Sequence, residues 1–117
     1  MSYMLLIVEP AGQRQTRSES EGRALYDSMV RFSDTLKSRG LLTLSQSLKT
    51  DHLGSRVQVR DGATKVVDGP FAEAKEMIGG IFLLTCKTRE QAIAIARECP
   101  VATTATIEVR ELGPCFE

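Results

Sequence analysis

Tryptophan is absent from this sequence, histidine occurs once, and cysteine occurs three times at wide intervals. His52 with Cys86, Cys99 and Cys115, none in a CxxC pair, makes a poor candidate for the four soft ligands of a structural zinc. An odd, scattered set of thiols also does not read as a disulfide framework. No apolar run approaches the roughly 20 residues that span a bilayer. The apolar start, Met1 to Pro10, has no basic n-region and no small-residue cleavage site, so a cytoplasmic protein is expected. Neither sign of charge is in excess: fifteen Lys and Arg balance fifteen Asp and Glu. Without a basic cluster, direct nucleic-acid binding is disfavoured. There is no GxGxxG and no Walker A string, which leaves nucleotide phosphates without a cradle. No metal and no cofactor is expected.

What is present is ordinary globular composition, 42% apolar and 26% charged over 117 residues. That length fits one domain, residues 1–117, with a real but small core. Tyr3–Glu9 is a short apolar run that reads as a buried strand, and polar Pro10–Arg17 reads as a loop. Ser18-Glu19-Ser20-Glu21 has capping-box spacing. Behind it Leu25, Met29, Phe32 and Leu36 share one helical face, and Gly40 marks a left-handed stop, which predicts a helix over Glu19–Arg39. Leu41–Leu48 suits a strand. Arg56–Arg60 and Thr64–Val67 flank Asp61-Gly62, a strong hairpin signal. Asp68-Gly69-Pro70-Phe71 is a turn cluster, and Ala72–Met77 reads as one irregular helical turn. Gly79-Gly80 opens the buried strand Ile81–Cys86. Thr88 to Gln91 is a second capping box, for a helix over Arg89–Cys99 that Pro100 stops. Ala105–Leu112 alternates as a last strand.

The order is strand, helix, strand, hairpin, strand, helix, strand. Setting the hairpin insertion aside leaves βαββαβ, an α+β ferredoxin-like plan. Two helices cover one face of the sheet. The other face is partly apolar, and a second copy of the chain is expected to cover it in a face-to-face homodimer.

The segment DGPFAEAKEMIGG, Asp68–Gly80, resembles the signature of the DGPF branch of the YCII-related family. YMLLIVE at the start, GGIFLL, EQAIAIARECP and the closing IEVREL follow the same order. The resemblance implies a dimeric α+β barrel in which two ferredoxin-like sheets face each other. It also implies a His–Asp pair in the better-understood branch, and here this chain departs. The histidine would fall near Ser28–Met29 in the first helix, where there is none. The aspartate would precede a proline after the second helix, where Cys99-Pro100 stands. DGPF-type proteins are associated with extracytoplasmic-function sigma factors, which implies a regulatory setting with a sigma factor as partner.

Candidate ligand-binding residues concentrate in Asp68, Gly69, Pro70, Phe71, Glu73, Lys75 and Glu76, since loops on a rigid scaffold commonly carry function. A desolvated Asp68 or Glu76 would serve as general acid or base. The bland alternative is that Asp68 caps the turn, Pro70 and Phe71 anchor it, and the charges face water. Gly79-Gly80 either lets a ligand approach the backbone or forms a bulge. His52 reads as an exposed loop residue, Cys99 and Cys86 as core, Cys115 as exposed. Met29 and Phe32 line the space between helix and sheet. Arg56, Arg60 and Arg110 either bind an anion in the inter-sheet cleft or sit at a solvated edge. Three functions follow: a small-polar-ligand-binding or regulatory module, a cofactor-free enzyme doing lyase- or isomerase-like acid–base chemistry between the sheets, or, from the resemblance, a protein that binds a sigma factor directly.

Overall fold

The computed structural model describes residues 2–116. Six strands and two helices follow in chain order: β1 Ser2–Pro10, α1 Glu19–Ser38, β2 Leu42–Ser47, β3 Ser55–Arg60, β4 Ala63–Asp68, β5 Glu76–Thr85, α2 Arg89–Arg97 and β6 Thr106–Glu111. Short 3-10 turns occupy Arg14–Thr16, Asp51–Leu53 and Pro100–Thr103. Four strands form one sheet in the order β2-β5-β1-β6, all neighbours antiparallel, and β3 with β4 forms a separate hairpin. This is the ferredoxin-like α+β plan with a hairpin insertion. No barrel closes among the described residues. No helix among the described residues is long and apolar enough to cross a membrane.

The apolar run of β1 is not buried on both faces. Tyr3, Leu5, Ile7 and Glu9 are buried, while Met4, Leu6 and Val8 between them are only half-buried. Cross-strand partners share a face, so Phe82, Gly80, Val109 and Ile107 lie on the Leu5–Ile7 side. Helix α1 sets Phe32 and Leu36 on that side and α2 adds Ala92, Ile95 and Ala96. Phe32 and Phe82 meet edge to face with ring centroids 5.3 Å apart. Each large side chain buried here contributes roughly 1.5–3 kcal/mol, and Leu5, Leu36, Leu84 and Ile95 are the most completely enclosed.

The opposite face has no cover among the described residues. Register places Met4 with Leu83, Leu6 with Ile81 and Val8 with Ile78, and Leu44 with Leu83 beyond. Leu44 and Ile78 are 42% and 39% exposed. Polar Thr106, Glu108 and Arg110 of β6 flank this apolar stripe.

Three local readings are corrected. Ala72–Met77 contains no helical turn. One bond from the Ala74 amide to the Phe71 carbonyl, 2.9 Å, turns the chain, and β5 already begins at Glu76. The strand starts five residues before Ile81 because β1 is long enough to pair with it. Pro10 faces Glu76, Glu9 faces Met77, and a register shift leaves Gly79 as the extra residue of a bulge. The bulge is the second of the two readings of Gly79-Gly80. In the second capping box Thr88 caps the Gln91 amide at 3.1 Å, but the Gln91 side chain accepts from the Lys87 amide and not from that of Thr88.

The remaining punctuation is as expected. Asp61 and Gly62 both adopt positive φ, 52° and 77°, in the hairpin turn, and Gly40 has φ 72° behind α1. The first capping box is complete. Ser18 Oγ accepts from the Glu21 amide, and the Ser18 amide donates to Glu21 Oε1 at 2.9 Å. That amide, followed by the Ser18 hydroxyl, holds the Glu21 carboxyl below the ordinary glutamate range. A carboxyl depressed by folding stabilises the fold above its unfolded pKa, and the gain is lost as pH falls through its folded pKa. In a carbon-detected NMR titration Glu21 is expected to titrate below the ordinary glutamate range, and Ser18→Ala, which removes the hydroxyl but keeps the amide, to raise it only part of the way back. An unchanged Glu21 in that variant would contradict the hydroxyl's share in the cap.

Candidate functional site

Glu9 is the one charged residue buried among the described residues, 8% exposed. The alternation of β1 places it there, since it continues the Tyr3–Leu5–Ile7 face past the end of the apolar run. A carboxylate taken out of water needs a partner, and Arg14 supplies one. The chain leaves β1 through Pro10, tied to the residue before β5 by the Ala11 amide on the Lys75 carbonyl at 2.9 Å. A 3-10 turn then carries Arg14 back over the sheet. Its Nε donates to Glu9 Oε1 at 2.6 Å, Nη1 to the Leu48 carbonyl at 2.8 Å and Nη2 to the Gly79 carbonyl at 3.2 Å. Thus one guanidinium joins β1, the end of β2 and β5. Gln13 fastens the same loop to the other side through the Thr104 carbonyl at 2.9 Å.

Gly79 leaves the room that the Glu9 and Arg14 side chains occupy. A β-carbon at that position would collide with the Glu9 carboxylate and the Arg14 guanidinium. Its neighbour Gly80 would meet the Gln46 carbonyl at 3.0 Å. The Gly-Gly pair is therefore a matter of close approach, not of left-handed backbone.

Above Glu9 and Arg14, α1 stands off the sheet and leaves a cleft of about 800 Å³. Leu25 and Met29 of α1 line it with Phe82 and Val101, and Arg17, Ser18, Ser47 and Lys49 stand at its polar margin. Ser33 Oγ donates to Ser45 Oγ at 3.1 Å across the space between α1 and β2. Glu9 Oε1 is engaged by Arg14, whereas Oε2 has no hydrogen-bond partner among the described residues and is open to solvent from the cleft. The two positions where the resemblance would place a His–Asp pair also come together near this cleft. Here they hold a thiol and a thioether, Cys99 Sγ to Met29 Sδ, 3.9 Å. Burial pushes the Cys99 thiol up, which keeps it protonated and unsuited to attack.

The residues singled out in the sequence sit elsewhere. The Asp68 carboxylate is exposed and accepts the Ser55 hydroxyl at 2.8 Å, closing the base of the β3–β4 hairpin. The Gly69 amide donates to the Gly54 carbonyl at 2.8 Å, so close to the Asp51–Leu53 turn that a side chain would strike the Asp51 carbonyl. The Gly69–Pro70 peptide is cis, and Pro70 is exposed. Phe71 is half-buried, with the Arg56 guanidinium 3.9 Å from its ring centroid. Glu73 and Lys75 face solvent, as does His52. Phe71 and Glu76 line a second concavity of about 610 Å³ with Val8 and Ile78, at the end of the open sheet face. None of the seven lines the larger cleft. Arg110 lies on the open face, paired with Glu108 at 3.1 Å.

Sequence reasoning passed over Glu9 and Arg14. The signal was a carboxylate in phase with Tyr3, Leu5 and Ile7, followed five residues later by an arginine. Gly79→Ala is expected to displace the ion pair and to destabilise the fold by about 1–3 kcal/mol, the usual cost of overpacking. Urea denaturation measures this, and a change under about 0.5 kcal/mol would show that Glu9 and Arg14 do not need the space.

Comparison with known proteins agrees with this architecture over nearly the whole chain. A segment of 54 residues, 44% of this chain, is 43% identical to an uncharacterized protein of Rhizobium meliloti (strain 1021) and covers 44% of that protein. The chain thus aligns with less than half of that relative's length. The model of the YCII-related domain matches residues 1–115, and on that match the chain belongs to the YCII-related domain family.

Proposed function

We propose that this protein is a small-ligand-binding module whose ligand enters the cleft between α1 and the sheet and donates a hydrogen bond to Glu9 Oε2. The observation that carries this reading is the free oxygen of an almost fully buried carboxylate at the wall of an 800 Å³ cleft. A cleft of that size suits a small molecule. The ligand class follows from the hydrogen bonds already made. Arg14 commits an N–H on each of Nε, Nη1 and Nη2 to protein acceptors and is already paired with the Glu9 carboxylate, which weakens it as an anion receptor. The unused group on the cleft floor is an acceptor, Glu9 Oε2, which calls for a hydroxyl or amine on the ligand. Leu25, Met29 and Phe82 offer surface to an apolar body attached to that head.

This reading moves the ligand from the inter-sheet space to the helix side of the sheet. The acid–base alternative has less support, since Asp68 is held by Ser55 and Glu76 projects from an exposed strand end. The apolar open face supports a homodimer formed on the other side, and the DGPF-type resemblance supports a regulatory use of binding beside a sigma factor.

The test is a ligand-detected NMR screen of hydroxyl-, amine- and carboxylate-headed compounds with apolar bodies. Hits are expected among the first two classes. A hydrogen bond to a charged group is worth about 1.5–3 kcal/mol, so Glu9→Gln is expected to weaken them by about tenfold or more while Asp68→Ala leaves them unchanged. Hits confined to carboxylates, or insensitive to Glu9→Gln, would contradict the reading.

A further inference from the structure

The β3–β4 hairpin is the part of the fold that its own chain leaves bare. Its strands pair only with each other, and every residue of both is exposed. Register sets Val57 opposite Val66, with Val59 two positions along on the same face. These three are 63%, 59% and 58% exposed. A lone two-stranded hairpin is marginal in water, and contiguous apolar surface of this kind marks an interaction site. Yet the hairpin is firmly mounted. Asp68 is bonded to Ser55, Gly69 to Gly54, and Arg56 lies on Phe71.

We propose that the hairpin is a dimerisation arm, whose Val57, Val59 and Val66 face lies on a second copy of this chain when two open sheet faces meet. The proposal rests on the homodimer reading above and adds the element that completes the interface. The first support is continuity. Val8 and Ile78 of the open face and Arg56 and Phe71 of the hairpin base line one concavity, so the arm starts where the open face ends.

The second support is area. Four strands of 9, 6, 10 and 6 residues, at about 3.3 Å per residue and about 4.8 Å apart, present roughly 500 Å² of face. A stable interface buries about 800 Å² per partner. The sheet face alone falls short, and the arm is the adjoining apolar surface that makes up the difference. The third support is shape. The Cα trace is only 18 Å thick but 47 Å long, with a radius of gyration of 16.0 Å. A compact 100-residue domain has about 13 Å. The arm projects from a two-layer body with one layer missing, and two-fold symmetry makes each arm reach the other copy.

Analytical ultracentrifugation of the full chain over a concentration series tests this with Val57→Lys/Val66→Lys. The wild type is expected to dimerise, and the double variant to raise the dimer dissociation constant by at least about tenfold with its circular dichroism unchanged. A wild-type chain that stays monomeric at every concentration would sink the dimer reading and the arm with it. A dimer of unchanged affinity in the variant would overturn the arm alone. If the variant misfolds, hydrogen exchange on the wild type decides. Hairpin amides protected only above the dissociation constant support the arm, and equal exchange at both concentrations overturns it.

Discussion

One guanidinium holds the cleft end of this fold together. Arg14 reaches β1 through Glu9, the exit of β2 through the Leu48 carbonyl, and β5 through the Gly79 carbonyl. Each bond is charge-assisted on the donor side, and the pair with Glu9 is charged on both. A carboxylate as enclosed as Glu9 would be costly alone, and its partner fixes it in one place. Gly79 is bare because the pair occupies its side-chain space. The β-bulge lets β5 keep pairing with β1 on either side of that residue. The floor of the cleft is thereby rigid, with one carboxylate oxygen left over.

The element order was legible because it rests on local chemistry. Ser18 and Glu21, Asp61 and Gly62, and Gly40 each act within a few residues, and each does so here as its type dictates. The end of α2 and the start of β5 were less legible. The first depends on a cap at Glu98, the second on how far β1 extends to receive a partner. The site was hardest to see. Its members lie in β1, the following loop, the β2 exit and β5, and only the tertiary register brings 9, 14, 48 and 79 together. Tyr3–Glu9 read as one apolar run, which hid the alternation that turns Glu9 inward.

The Asp68–Gly80 segment divides in two under the same scrutiny. Its first half, Asp68 to Phe71, mounts the hairpin. Its second half, Glu76 to Gly80, is the bulged start of β5 that frames the ion pair. The helix side of the sheet offers the proposed ligand cleft and the open side the apolar surface. Leu48 and Lys49 border both concavities, and the Leu48 amide also donates to the Gly79 carbonyl at 3.0 Å. The two sides of the molecule thus share one short segment bonded directly to Arg14.

The most direct test of the central ion pair is a double-mutant cycle in urea with Glu9→Gln, Arg14→Met and the double variant. The pair is partly enclosed, with side chains 10% and 29% exposed, so its coupling should fall below the ~3–5 kcal/mol lost on breaking a fully buried pair. A coupling energy of at least about 1 kcal/mol is expected of two groups bonded this closely. Single-variant effects that add to within about 0.5 kcal/mol would mean that Arg14 and Glu9 act independently, and the account built on them would fail.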